Sequence, residues 1–312
     1  MFDIRDHLRG IAVGAAVGDA LGMPLEFKPP RPEGSFVTEM IAGPLPAGYF
    51  TDDTEMALCL AESLLLTSPL DEHDLAGRFT TWLRSHPSDV GIHTARVLNE
   101  IISGEDVFLA AQKVQSEDPD SAGNGSLMRA WPIAIARYKK ESLLISETNL
   151  QSVLTHTHPD AVQGTLFFNL LLYHILQAGS DSPQAVIRLA IQQSADKVLL
   201  DPDFAMKLNL SPMRLPRDLK NTGWIQHTLE SALWAIQTTL SFEEALVKAV
   251  NLGYDADTTG AVTGAIAGAL YGLQGIPARW RQFLHGEYPI HSGKLWFEND
   301  FIRLADQLAA IQ

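Results

Sequence analysis

The amino-acid sequence predicts an all-α fold, a single compact multi-helix domain spanning residues 1–312. Three observations predict it. Apolar residues recur at helical rather than alternating spacing through nearly the whole chain. Turn-forming clusters at Pro29-Pro30-Arg31-Pro32 and Gly43-Pro44-Leu45-Pro46, with Pro212 and Pro216, punctuate these runs. No stretch has the length or composition of a linker between two domains.

Taken in order, periodicity places helices over 4–21, 54–67, 72–84, 92–103, 105–115, 126–138, 141–155, 159–177, 183–195, 224–239, 242–252, 258–273 and 295–311. Gly22 and Pro24 end the first helix, and Thr51 to Thr54 offer caps to the second. Gly123-Asn124-Gly125-Ser126 precedes the helix at 126, and Asp257 or Thr258 can cap the glycine-rich helix that follows it. Only Ser35–Ile41 suggests an extended piece. Leu200–Gly223 is the longest irregular stretch, a lid or a plain surface excursion.

Composition narrows the function classes. Apolar residues make up 46% and charged residues 19%, a globular balance. A net charge of −14 without any Lys/Arg cluster argues against a nucleic-acid platform. Cys59, the single cysteine, permits no intramolecular disulfide, which fits a reducing cytosol; its apolar setting reads as a buried thiol. The first ten residues carry four charges at Asp3, Arg5, Asp6 and Arg9 and lack a signal-peptide core. From Thr258 to Ala278 the chain is uncharged, with Gly260, Gly264, Gly268 and Gly272 at small-xxx-small spacing. Few bulky apolar residues occur there, so the segment reads as a buried helix rather than a membrane span.

The chemistry concentrates in two short motifs, Thr51-Asp52-Asp53-Thr54 and Asp255-Ala256-Asp257-Thr258-Thr259. Each can serve as a helix cap. A cap needs one oxygen, however, and adjacent carboxylates repel one another unless a cation lies between them. Asp and Thr oxygens are the donors that hard divalent cations select. Other candidates are weaker alone. Glu26 projects from a turn and could be an ordinary loop acid. The Gly-Asn-Gly turn at 123–125 frees backbone N–H groups for an anion, yet such turns are common. His156 and His158 suit proton transfer or an oxygen contact, or a core imidazole and a surface one.

Together these elements resemble the ADP-ribosylglycohydrolase family. Its signatures stand here in order as GDALGMPLEF (18–27), GYFTDDTEMAL (48–58), DVGIHT (89–94), GNGSLMR (123–129), THTHP (155–159), TLESALWA (228–235) and NLGYDADTTGAVTGAIAGALYG (251–272). The resemblance implies an all-α domain with a dinuclear metal cleft holding two Mg²⁺ or Mn²⁺. Thr51, Asp52, Asp53, Asp255, Asp257 and Thr258 are the implied ligands, and Glu26, Asp53 and Asp255 the implied catalytic carboxylates. Gly123, Asn124, Gly125 and Ser126 would cradle a diphosphate, and Asp89 and His156 would line the substrate cleft. One departure is Gly253-Tyr254-Asp255, where the family usually has a second glycine; Tyr254 would touch the distal ribose or narrow the cleft.

The activity so implied is metal-dependent removal of ADP-ribose from protein side chains, arginine-linked foremost, in the cytoplasm and away from membranes. Two alternatives stand beside it. A non-catalytic ADP-ribose binder would be expected to have lost ligands, and all six positions are intact. A dinuclear nucleotide phosphohydrolase would release phosphate instead of ADP-ribose.

Overall fold

In the computed structural model, which describes residues 3–179 and 182–311, helix follows helix almost without interruption. The order is α1 (Ile4–Gly22), α2 (Asp52–Leu66), α3 (Glu72–Arg84), α4 (Ile92–Ile102), α5 (Val107–Glu117), α6 (Gly125–Met128), α7 (Trp131–Ala136) and α8 (Glu141–Val153). Then come α9 (Pro159–Gln177), α10 (Pro183–Ala195), α11 (Pro202–Leu210), α12 (Ile225–Gln237), α13 (Phe242–Val250), α14 (Ala256–Tyr271) and α15 (Ala278–Phe283). A two-stranded antiparallel ribbon, β1 (His285–Glu287) and β2 (Leu295–Phe297), precedes α16 (Glu298–Ala310). In its register His285 faces Phe297 and Glu287 faces Leu295.

The centre of the fold is an antiparallel pair, α1 against α14, pressed to backbone distance. A Cβ placed on Gly264 would lie 2.0 Å from the Gly14 carbonyl oxygen, one on Gly268 1.9 Å from that of Gly10, and one on Gly18 2.0 Å from that of Gly260. Only hydrogen side chains fit such a seam. The glycine-rich run is therefore a buried core helix, as its composition predicts. Residues Ile4–Leu25 are also long and apolar enough to cross a membrane by length and composition, but 94% of their most apolar stretch is buried within the protein. The seam's direction places the C-terminal end of α1, with Asp19, beside the N-terminal end of α14, with Asp257.

Elsewhere the structure differs from the predicted elements for local reasons. Residues 126–138 form two short helices, α6 and α7, with Pro132 in the first turn of α7, where its missing N–H costs nothing. The stretch 200–223 contains α11, capped by the Asp201 carboxylate and anchored by buried Phe204 and Leu208. Ser35–Ile41 forms no strand. There the Asn251 side chain acts as the pairing partner: it accepts from the Val37 N–H at 2.8 Å and donates to the Val37 carbonyl at 2.9 Å. The helix expected from 295 begins at Glu298, because Leu295–Phe297 pairs with β1. Cys59 is buried, with its thiol pushed up to about 12 chiefly by desolvation, so it packs rather than reacts.

Candidate functional site

The two acidic motifs start α2 and α14, and neither helix is capped by the side chain of its N-cap residue, Thr51 or Asp255. At α2 the cap comes from another element. The carboxylate of Asp19, fully buried on α1, accepts from the Thr51 N–H at 3.0 Å and the Thr51 hydroxyl at 2.9 Å. It also accepts from the Thr54 N–H at 3.2 Å and the Thr54 hydroxyl at 2.5 Å. With those orphan donors satisfied, Asp52 and Asp53 are released from capping. At α14 the turn before the helix is fixed by Asn221, which donates to the carbonyls of Gly253 at 2.6 Å and Asp255 at 3.2 Å. The Thr259 hydroxyl donates back to Asn221 at 2.7 Å.

The motifs meet. The Thr258 hydroxyl donates to Asp53 Oδ2 at 3.3 Å, across the junction of α14 and α2. Carboxylate oxygens of Glu26, Asp89 and Asp257 lie within 4.8 Å of one another. Asp255 accepts from Asn124 Nδ2 at 2.6 Å, and the same amide donates to Thr228 at 2.9 Å. Burial comes first among the causes that raise the pKa values here. It lifts Asp52, Asp53 and Asp257 well above the carboxylate range, with repulsion from Asp89, Asp257 and Glu26 respectively added. Glu26 is pushed up to about 8 by burial and by Asp89, and Asp255 to about 6 by burial.

Among the described residues no lysine or arginine lines this cleft to balance the charge. The Asp53 Oδ1 oxygen is buried there without a hydrogen-bond partner. A buried, oxygen-only donor set with an orphaned carboxylate oxygen fits hard divalent cations.

The cleft encloses about 700 Å³. Glu26, Asp52, Asp53, Asp89, Asp255, Asp257 and Thr258 line it on the acidic side, and Gly123, Asn124, Gly125, His156, Tyr254, His93 and Thr94 line the rest. Two predicted residues stand apart. Thr51 lies behind the cleft, in an adjoining recess of about 240 Å³ that also touches Glu26 and Asp89. Ser126 is fully buried with its hydroxyl bonded to Thr165 at 3.0 Å and Ser152 at 2.9 Å, so its side chain faces the core.

The glycines at 123 and 125 have a different cause from backbone freedom: neither adopts a positive φ. A Cβ on Gly125 would stand 2.9 Å from the His156 ring, and one on Gly123 would stand 3.3 Å from it. They make room for the imidazole. The Asn124 N–H is already engaged by the Gly223 carbonyl at 3.0 Å. Tyr254 stands half exposed at the rim with φ +52°, facing Phe27 at φ +58°. The Phe27 N–H donates to the Tyr254 carbonyl at 2.6 Å, and the Tyr254 N–H to that of Lys28 at 2.7 Å. A glycine would take that left-handed backbone without strain, whereas Tyr254 carries strain at the cleft mouth.

Sequence reasoning passed over Asp19, Asn221, Thr228 and His93. Asp19 had a readable signal, since a lone carboxylate among the apolar residues of a core helix needs partners. The others bond across distant segments and leave no local pattern.

The helical fold is that of a family of glycosidic-bond hydrolases. The family model described as ADP-ribosylglycohydrolase matches residues 2–312, and the chain belongs to that family. It is 32% identical over 287 residues to "ADP-ribosylarginine hydrolase Tri1" of Serratia proteamaculans, covering 88% of this chain and 74% of the relative. It is 30% identical to "ADP-ribosyl-[dinitrogen reductase] glycohydrolase" of Rhodospirillum rubrum, covering 89% and 90%. A solved structure described as "ADP-ribosylglycohydrolase-related protein complex" superposes with a TM-score of 0.81 at 35% identity, over 99% of this chain and 98% of that one.

Proposed function

We propose that this enzyme removes ADP-ribose from modified protein side chains, arginine-linked foremost, in a reaction that depends on two Mg²⁺ or Mn²⁺ ions. The observation that carries the reading is the convergence of Asp53, Thr258 and Asp257 beside Glu26 and Asp89, with Asp53 Oδ1 left unpartnered in a cleft that no described cationic side chain lines. Asp52, Asp53, Asp255, Asp257 and Thr258, which line the cleft, would hold the ions, with Thr51 set behind them in the adjoining recess. Arginine is favoured by the activities for which the relatives are named, one an arginine hydrolase.

When bound, the ions supply Lewis-acid polarisation of ribose oxygens and of water. The residues do the rest. Cleavage breaks the ribosyl C1–N bond through an oxocarbenium-like state and forms a C1–O bond to water. Glu26, Asp53 and Asp255 line the cleft, and these carboxylates would take the water proton and return one to the departing guanidine nitrogen. Asn124 holds Asp255 in place. Asp89, His156 and Tyr254 line the space that the sugar and diphosphate would occupy. The buried thiol of Cys59 suits a reducing cytosol, where ADP-ribosylated proteins would be the partners.

The test is hydrolysis of arginine- and serine-linked ADP-ribosyl proteins side by side, with Mg²⁺, Mn²⁺ or EDTA. Metal-dependent release of ADP-ribose from the arginine linkage is expected. Release of phosphate instead, or tight ADP-ribose binding without release from either substrate, would overturn the reading.

A further inference from the structure

Behind the cleft lies an arginine, Arg129, fully buried without a carboxylate partner among the described residues. Its partners are the Gln151 side chain at 3.0 Å, the Gln151 carbonyl at 2.9 Å, the Thr155 hydroxyl at 2.7 Å and the face of Phe79 at 4.4 Å. The other fully buried arginine, Arg137, has the usual arrangement, a bidentate pair with Glu147 at 2.7 and 2.8 Å. Burying an unpaired guanidinium costs stability. Burial pushes its pKa down to about 9, so it stays a cation near neutral pH.

The bonds around Thr155 connect this arginine to His156. A guanidinium only donates, so Thr155 Oγ1 accepts from Arg129. Among the described residues the hydroxyl's own proton then has one acceptor within reach, His156 Nδ1 at 2.8 Å. An Nδ1 that accepts leaves the ring proton on Nε2. The neighbouring ring is fixed by the same logic. His93 Nε2 lies 2.9 Å from the Thr155 carbonyl, which can only accept, and the two imidazoles stack with centroids 4.8 Å apart. Burial, His93 and the Arg129 charge all hold His156 well below its ordinary pKa, hence neutral. His156 Nε2 has no hydrogen-bond partner among the described residues. It sits over Gly123 and Gly125, whose missing side chains open the space beside it.

We propose that Arg129 and Thr155 are positioning residues that lock His156 in its Nε2–H tautomer, so that it donates, uncharged, to a substrate oxygen beside Gly123 and Gly125. The identity of that acceptor, an oxygen of ADP-ribose, rests on the function proposed above; the tautomer does not. Neutral donation suits a site already crowded with charge, because it orients an oxygen without titrating near neutral pH.

The experiment is ¹⁵N NMR of the His156 ring in the ligand-free protein, paired with calorimetry of ADP-ribose binding, for wild type, Thr155→Val and Thr155→Ser. The wild-type ring is expected as Nε2–H, with the Nε2 resonance moving when ADP-ribose is added. Thr155→Val should release the ring toward Nδ1–H and weaken ADP-ribose binding about threefold to tenfold, the loss of one hydrogen bond. Thr155→Ser should restore both. A wild-type ring protonated at Nδ1 overturns the proposal, as does a changed tautomer with unchanged affinity. Failure of Thr155→Ser to rescue would mark Thr155 as merely structural. Should Thr155→Val not fold, the wild-type tautomer and the ADP-ribose shift still decide. Absence of ADP-ribose binding by wild type would count against the proposed function, while the ligand-free spectrum would still judge the relay.

Discussion

At the scale of single residues, the unpartnered Asp53 Oδ1 is the most informative atom in the structure. Its neighbours are carboxylates, so removing one charge should act in opposite directions on activity and stability. Asp257→Asn is expected to reduce turnover by orders of magnitude yet raise the melting temperature of the metal-free protein, because it removes an acid whose charged form is disfavoured first by burial and then by repulsion from Glu26. Parallel melting curves in EDTA and turnover assays with metal check both halves; a lower metal-free melting temperature would remove the repulsion argument. Glu26→Gln should cut turnover far more than it weakens Mn²⁺ binding measured by calorimetry, because it removes a proton-handling group while keeping the side chain's shape. The acidic residues were legible in the sequence because two carboxylate pairs at helix starts exceed what capping requires. Asp19 and the Arg129–Thr155–His156 chain were not. Their meaning lies in bonds such as Asp19 to Thr54 and Arg129 to Thr155, which only the folded chain brings together. Ser126 marks the reverse case: its motif pointed to the ligand, and its hydroxyl points to the core.

At the scale of elements, the α1–α14 seam decides where the site can exist. Gly264→Ala would put a methyl 2.0 Å from the Gly14 carbonyl oxygen, backbone against backbone, where no side chain can yield. A destabilisation of about 1–3 kcal/mol or more is expected, with loss of metal binding as the helix starts move apart. Chemical denaturation would show it, and an unchanged midpoint would mean the helices can separate freely. Gly77→Ala on α3 provides the opposite sign. A methyl group there would meet nothing within 4 Å, and the φ of Gly77 is not positive, so helix propensity governs. A gain of about 0.5–1 kcal/mol is expected there by the same measurement. The sequence showed one half of the seam, the glycine repeat at 260–272, from its spacing. The matching Gly10, Gly14, Gly18 and Gly22 sat in a helix read on its own. A repeat predicts close packing without naming its partner, and that is why the juxtaposition of Asp19 with α14 stayed hidden. Short elements were missed for a related reason. Asp201 and Pro202 start α11 within a stretch whose remaining prolines read as loop, and Ser35–Ile41 lost its strand to a side-chain partner.

At the scale of the whole molecule, a protein of net charge −14 gathers in one place buried carboxyls that have no cationic partner among the described residues, and so ties its stability to pH. Burial raises Asp19 and Asp255 to about 6, Glu55 to about 7 and Glu26 to about 8. Glu55 is held at this end of α2 by the Trp82 indole N–H at 2.8 Å, so it belongs to the same buried region. A carboxyl whose folded pKa exceeds its unfolded value, about 4, binds its proton more tightly in the folded state. Its contribution to stability is complete below that unfolded value and is lost as pH rises through the folded one. The metal-free protein should therefore lose stability steadily between about pH 4 and pH 8. Bound cations reverse the balance, since they stabilise the ionised form and bind the folded state alone. The expected result is a melting temperature in EDTA that falls from pH 5 to pH 8, and an increase on adding Mn²⁺ or Mg²⁺ that is larger at pH 8 than at pH 5. Scanning calorimetry at the two pH values, with and without metal, measures all four terms. A metal-induced increase that shrinks with rising pH would show that these carboxyls are not what holds the ions, and the site would have to be sought elsewhere in the fold.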